Sequence, residues 1–213
     1  MHFLSPLLEA YIEKSTSEEP KLLQELTRET HLKVLRPRML TGHYQGRVLS
    51  MLSKIIQPKY ILEIGTYTGY SALCLAEGLQ KAGQLHTIDI NEELMGIQRR
   101  YFDRSGFGPQ IVQHHGDALK IIPTMDHVFD LVFIDAEKTE YPAYLESVLA
   151  NTRSGSIILS DNVLWSGKVI EPLEEKDKTT EILLDYNEKL RNDHRLETVL
   201  LPIRDGLTLC RVR

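Results

Sequence analysis

Read for apolar periodicity, the chain changes character once its first forty positions are past. Within them Leu4, Leu7, Leu8, Tyr11 and Ile12 recur at helical spacing, followed by Leu22, Leu23, Leu26 and Leu32. Residues three and four apart share one helix face, so the pattern predicts two amphipathic helices. Ser17, followed by Glu18, Glu19 and Pro20, reads as the start signal of the second. A third helix is predicted over 42–56. From Tyr60 onward, short apolar runs alternate with amphipathic stretches. Strands are predicted at 60–64, 84–88, 111–114, 131–134, 156–159, 196–201 and 207–212. Helices are predicted over 70–81, 92–105, 117–124, 141–151 and 178–192.

Strands separated by helices pair in parallel, which implies an α/β doubly wound sheet with helices on both faces. The last two runs break that rhythm. Only 202–206 separates them, and Asp205-Gly206 is a turn dipeptide that favours a hairpin. The expected fold is a seven-stranded, mostly parallel sheet with one antiparallel strand near the C-terminus and extra N-terminal helices. No repeat, low-complexity run or Gly/Pro/Ser-rich linker interrupts it. Residues 1–213 therefore read as a single domain, with 1–40 as a helical extension.

The strand-to-helix turn Gly65-Thr66-Tyr67-Thr68-Gly69 lies where open α/β sheets bind ligands. Gly65 and Gly69 are read as letting the backbone approach a bound molecule. Tyr67 stands where a dinucleotide fingerprint needs its second glycine, which disfavours a pyrophosphate and leaves room for a cofactor without one. Asp89 follows Gly65 by 24 positions at the end of the second strand, a placement that suits ribose hydroxyls. Gly116-Asp117-Ala118 ends the third strand and suits an adenine wall, with Asp117 equally able to cap the next helix.

A second cluster is acidic. The fourth strand ends in Asp135-Ala136-Glu137-Lys138 and the fifth in Ser160-Asp161-Asn162. If the two strands are parallel neighbours, Asp135, Asp161 and Asn162 meet at one sheet edge. Three oxygen-bearing side chains there make a site for a hard divalent cation.

These segments together resemble the cation-dependent O-methyltransferases, the family that includes catechol and caffeoyl-CoA O-methyltransferases. The resemblance is carried by 62–71, 87–91, 129–141, 160–165 and Asp205-Gly206-Leu207, and it extends over about 39–213. It implies a Rossmann-like methyltransferase fold using S-adenosyl-L-methionine (SAM) and a divalent cation, usually magnesium. It further implies that Asp135, Asp161 and Asn162 hold the cation and that Lys138 is the catalytic base. Met39, Thr41, Glu63, Gly65, Tyr67, Ser71, Asp89, Ala118 and Asp135 are then the cofactor-binding residues. One segment departs from the pattern: His43-Tyr44-Gln45-Gly46 stands where relatives carry a more acidic stretch.

The chemistry needs such groups. Ionising a phenol of pKa near 10 at pH 7 costs about 4 kcal/mol, and a cation chelated by two neighbouring hydroxyls stabilises the anion. The expected acceptor is therefore a small vicinal dihydroxy aromatic. A lysine accepts a proton only from its neutral form, which a nearby cation and partial burial favour. Trp165, the one tryptophan, follows the acidic pair and is expected to wall the acceptor pocket with Ser166, Gly167 and Lys168.

Charge and composition prune the alternatives. A formal net charge of −5 disfavours a nucleic-acid binder, and Lys33, Arg36 and Arg38, the nearest thing to a basic patch, read as a solvated helix end. The resemblance keeps a hydroxylated transfer-RNA uridine open as an alternative acceptor. A nicotinamide oxidoreductase is opposed by Tyr67 and the acidic cluster, and a silent binding protein by the intact Lys138, Asp135, Asp161 and Asn162. Cys74 and Cys210 lack metal spacing and read as reduced core thiols, which with no ~18-residue apolar run or export signal places the chain in the cytoplasm. The N-terminal helices are expected to form either a homodimer surface or a lid.

Overall fold

The central strands bury side chains on both faces, and the alternation of their residues assigns them to two different cores. In β1 (Tyr60–Ile64) Ile61 faces one side and Leu62 and Ile64 the other, as the two-residue period of a strand dictates. β2 (Gln84–Asp89) and β3 (Ile111–His115) lie to one side of β1; β4 (Leu131–Ile134) and β5 (Ile157–Asp161) lie to the other. All pair in parallel. β7 (Leu207–Val212) enters antiparallel between β5 and β6 (Leu196–Leu201), giving seven strands in the order β3-β2-β1-β4-β5-β7-β6. The computed structural model describes residues 4–213; the absence of an export signal, read from the N-terminus, takes in residues 1–3, which lie outside them.

One face carries Leu23 and Leu26 from α2 (Lys21–Lys33), Leu49 from α3 (His43–Ile56), all of α4 (Tyr70–Ala76) and Phe102 from α5 (Met95–Arg104). The opposite face carries α6 (Ala118–Ile121), α7 (Tyr141–Leu149) and α8 (Lys178–Asn192). There Leu145, Val148, Leu183, Tyr186 and Leu190 are wholly buried. At roughly 1.5–3 kcal/mol per large buried side chain, the two cores dominate the fold's stability. α1 (Pro6–Ser15) contributes no buried residue and packs on α3.

Several predicted boundaries move for local reasons. Ser17 does not start α2; the helix begins at Lys21 after Pro20, without a side-chain cap, because proline fits the first turn where no N–H is needed. α4 stops at Ala76 rather than running to 81, since the chain then squeezes past α3. A Cβ on Gly78 would lie 2.2 Å from the Ser53 carbonyl carbon. The helix predicted at 117–124 is α6 followed by a 3-10 turn, Ile122–Thr124, where Pro123 removes a helical donor. α5 is preceded by another, Glu92–Leu94. The hairpin, the parallel pairing of the first five strands and the adjacency of β4 and β5 follow the sequence reading; the order across the sheet comes from the structure.

Candidate functional site

Strand order reverses between β1 and β4, and an open cleft lies at the carboxyl ends of the strands there. The turn after β1 forms its floor. Gly65 has φ 98°, and a Cβ on it would lie 2.0 Å from the Asp135 carbonyl oxygen; one on Gly69, φ 91°, would lie 2.6 Å from the Phe102 ring. Both glycines therefore make room for the protein itself, whereas the sequence reading had them making room for a ligand. Gly65 still lines the cleft.

Tyr67, also at positive φ (49°), is fixed at three points. Its N–H donates to Asp89 Oδ2 (2.7 Å), its carbonyl accepts from Gln98 (2.7 Å), and its hydroxyl donates to the Leu35 carbonyl (3.1 Å). Asp89 Oδ1 accepts from the Asn91 N–H (2.8 Å). Asp89 thus shapes the turn and lines the cleft at once. Asp117 caps α6 through the Leu119 N–H (2.9 Å) and lines the cleft beside Ala118.

Of the residues predicted to touch a cofactor, Met39, Thr41, Gly65, Tyr67, Ser71, Asp89, Ala118 and Asp135 all line this one cleft. Glu63 lies beneath, fully buried. The Thr87 hydroxyl donates to its Oε2, while Oε1 has no hydrogen-bond partner. Burial pushes its carboxyl up to about 8, against the opposing pull of the Ser71 and Thr87 hydroxyls. A buried carboxyl with an orphaned oxygen under an acid-lined cleft suits a ligand carrying positive charge, and SAM carries a sulfonium and an ammonium.

The acidic cluster forms as the parallel reading requires. Ile134 pairs with Ser160, so Asp135 and Asp161 leave adjacent strands side by side. The Tyr141 hydroxyl reaches the carbonyls of Ile134 (3.2 Å) and Asp161 (3.0 Å), bridging the two strand ends. Asp161 is buried; Oδ1 accepts from the Asn162 N–H (2.8 Å) and Oδ2 from the Gln45 amide (2.7 Å). Asn162 turns at φ 59° and lines the cleft. Burial, and then the charge of Asp135, hold the Asp161 carboxyl above the usual carboxylate range. Lys138, in the 3-10 turn Lys138–Glu140, places Nζ 2.9 Å from Asp135 Oδ1 and 2.9 Å from the Ala136 carbonyl.

Among the described residues no group of three or more His, Cys, Asp and Glu side chains is placed to hold a metal; the set here is two carboxylates and an amide. That hard-oxygen set suits magnesium, which commonly takes one or two carboxylates and completes its shell with water or substrate. The crowding of Asp135 against Asp161, with the Lys138 ammonium already on one of them, fits a further positive charge at this edge.

The sequence reading assigned no role to three residues that complete the site. Gln45 belongs to α3, Tyr141 opens α7, and Arg204 donates to the Leu40 carbonyl (3.0 Å) and also to that of Thr41. Arg204 thereby pins the 39–41 segment across the cleft. Asp205 accepts from the Ser166 N–H. With Trp165 (φ 47°), Ser166 (φ 56°) and Gly167 (φ 87°) all left-handed, the loop after Asn162 is tightly turned and puts Trp165 at the cleft.

Comparison with known proteins agrees with this geometry. A family model described as O-methyltransferase matches residues 13–213. A caffeoyl-CoA O-methyltransferase of Petroselinum crispum is 35% identical, over 91% of this chain and 84% of its own length. The Bacillus cereus O-methyltransferase in complex with SAH superposes with a TM-score of 0.90 at 28% identity, covering 97% of each chain. The Streptomyces achromogenes O-methyltransferase TomG in complex with SAM does so at 0.88 and 28%, covering 97% of this chain and 96% of that one. An α/β sheet with this strand order, a cleft at its switch point and a family match over nearly the whole chain lead to one assignment: the protein belongs to the O-methyltransferase family.

Proposed function

We propose that the protein transfers the methyl group of SAM to one hydroxyl of a small vicinal dihydroxy aromatic, with a divalent cation, magnesium by preference, at Asp135, Asp161 and Asn162. The observation that carries this reading is the meeting of Asp135 and Asp161 at the ends of adjacent strands beside the cleft. Solved relatives described with SAM and with SAH support the cofactor, and the caffeoyl-CoA relatives support the aromatic acceptor.

When bound, the cation supplies positive charge that stabilises an ionised hydroxyl and orients its neighbour. SAM supplies an electrophilic methyl on a sulfonium. In this reading Asp89 takes the ribose hydroxyls, Ala118 the adenine, and Glu63, beneath the floor, the positive end of the cofactor; their position at or under one cleft supports it. With the cation bound, Lys138 would give up its own proton to solvent and, as the neutral amine, take the acceptor proton at Nζ, and Trp165 walls the ring and excludes water. Because the sulfonium and the phenolate neutralise each other as the new bond forms, close in-line positioning carries most of the acceleration. A screen of vicinal dihydroxy aromatics against their monohydroxy counterparts, with methyl-labelled SAM, tests this. Label transfer restricted to the vicinal compounds is expected; equal transfer to monohydroxy phenols would contradict it.

Lys33, Arg36 and Arg38 line the cleft mouth, which favours a second acceptor, a hydroxylated uridine in transfer RNA. Labelling of hydroxylated transfer RNA in preference to small catechols would select it. The N-terminal helices border the cleft through Ile12 and Glu13 and expose Leu7 and Tyr11, while α3, on which α1 packs, exposes Met51 and Ile55. That exposed apolar face is the proposed homodimer surface; a monomeric mass by light scattering at micromolar concentration would reject it. Among the described residues no helix is long and apolar enough to cross a membrane.

A further inference from the structure

α3 lies outside the alternating strand–helix repeat, yet it sends one polar side chain to the centre of the site. Gln45 is 1% exposed, and its Nε2 donates at 2.7 Å to Asp161 Oδ2, a residue 116 positions away. A long polar side chain that is wholly buried normally has a specific partner, because an unpartnered buried amide is destabilising. Here the partner is a carboxylate at the end of β5. With the Asn162 N–H on Oδ1, both oxygens of Asp161 are held, and the plane of the carboxylate is fixed from two directions.

The helix that carries Gln45 cannot easily shift. Gly46 follows directly, and a Cβ there would lie 2.6 Å from the Tyr70 ring and 2.9 Å from Cys74 Sγ. α3 is therefore pressed against α4 at this point. The Arg47 guanidinium clamps Glu77 at 3.0 and 2.7 Å one residue further on. Gln45 is thus delivered to Asp161 by a rigid contact and not by a flexible stem.

We propose that Gln45 is a positioning residue that orients the Asp161 carboxylate for the divalent cation and so sets the affinity of the site. Gln45 touches neither cofactor nor acceptor in this role; it acts through Asp161. A neutral amide donor suits it. It leaves the two carboxylates as the charge of the site, where an acid at 45 would place a third negative group against Asp161. Partners of this kind behind metal ligands commonly change affinity by about 10- to 100-fold when removed.

The inference rests on the divalent-cation reading of Asp135 and Asp161, and the experiment separates the two. Mn2+ is titrated into wild type, Gln45→Met, Gln45→Glu and Asp161→Ala, and free Mn2+ is followed by electron paramagnetic resonance with no turnover. SAH affinity is measured on the same samples by calorimetry. Wild type is expected to bind Mn2+ and Asp161→Ala to lose it. Gln45→Met, which keeps length and volume but has no donor, should lose at least about 10-fold in Mn2+ affinity with SAH binding retained. Gln45→Glu should shift Mn2+ affinity by a similar factor, and it carries the test if the Met variant fails to fold. Wild-type Mn2+ affinity in a folded variant would overturn the positioning role while leaving the cation reading intact. Failure of wild type to bind Mn2+ at all would overturn both.

Discussion

Two carboxylates flank α4, and their surroundings push them in opposite directions. Glu77, just past its last residue, accepts from both terminal nitrogens of Arg47, from Ser50 and from Lys54, all on α3. Those bonds outweigh desolvation and hold its carboxyl down at about 2, although burial acts the other way. Glu63, beside the first turn, has hydroxyl neighbours and no cation, and burial lifts it to about 8. Asp161, also under the cleft, is raised for the same reason and by Asp135. A carboxylate that serves the fold is supplied with its counter-charges by the chain. Those at the cleft lack enough of them, and so they are the ones that a cationic cofactor and a metal ion can satisfy. Perturbation alone does not mark function; which way it runs, and whether a cleft adjoins it, does.

The largest effect should come from Asp161→Ala, with turnover down by at least about 10³-fold and SAH affinity nearly intact in calorimetry. Its thermal midpoint should fall less than that of a Glu77 variant, because the hydrogen bonds lost from Gln45 and the Asn162 N–H are offset by removal of a buried charge repelled by its neighbour; a comparable fall would erase the contrast. Glu77→Gln should do the reverse. Its kcat/KM is expected to stay close to wild type while stability drops by about 2 kcal/mol, discounted for partial solvent screening, as read in urea unfolding.

The pH dependence sharpens the same contrast. The depressed Glu77 contributes stability that is fully present above its unfolded value near 4.5 and is lost as pH falls through about 2. The raised Glu63 contributes stability that is present below about 4.5 and is lost as pH rises through about 8. Glu63→Gln should therefore flatten the ligand-free stability profile between pH 4.5 and 8 and also weaken SAM binding. An unchanged profile would mean that burial does not lift the Glu63 carboxyl.

A third cluster supplies a control far from the cleft. His86 Nδ1 lies 3.0 Å from His114 Nε2, and the His127 ring centroid is 4.6 Å from that of His86. Burial, then His127 and His114, press His86 down to about 4. Its stabilising contribution is thus present above about 6.5 and lost as pH falls through 4. His86→Phe should remove that limb of the acid profile without touching activity. The smallest effect is expected at Trp165→Ala: acceptor KM up by about tenfold, with SAM KM unchanged.

How much of this was legible beforehand follows the range of the interactions. Strand positions, their parallel pairing and the final hairpin could be read because apolar runs, their alternation with helices and the Asp205-Gly206 turn are local signals; the order across the sheet, set by long-range pairing, could not. Asp135, Asp161 and Asn162 were legible once parallel pairing was accepted, since strand ends fix their neighbours. Gln45 and Arg204 were not, because their partners lie 116 and more than 160 residues away and nothing in a helix or turn pattern names them. Tyr141 read only as a helix start, although its hydroxyl ties two strands. The glycines were placed in the turn, but the space that Gly65 and Gly69 yield to Asp135 and Phe102 involves contacts that no local sequence window contains.

The central claim is that the carboxylates closing β4 and β5 work through a divalent cation. Methyl transfer from labelled SAM to a vicinal dihydroxy aromatic, measured after exhaustive chelation and again after adding Mg2+ back, tests it most directly. Turnover should vanish on chelation and return with Mg2+ in wild type, but not in Asp161→Ala. Undiminished transfer in the metal-stripped enzyme would contradict it.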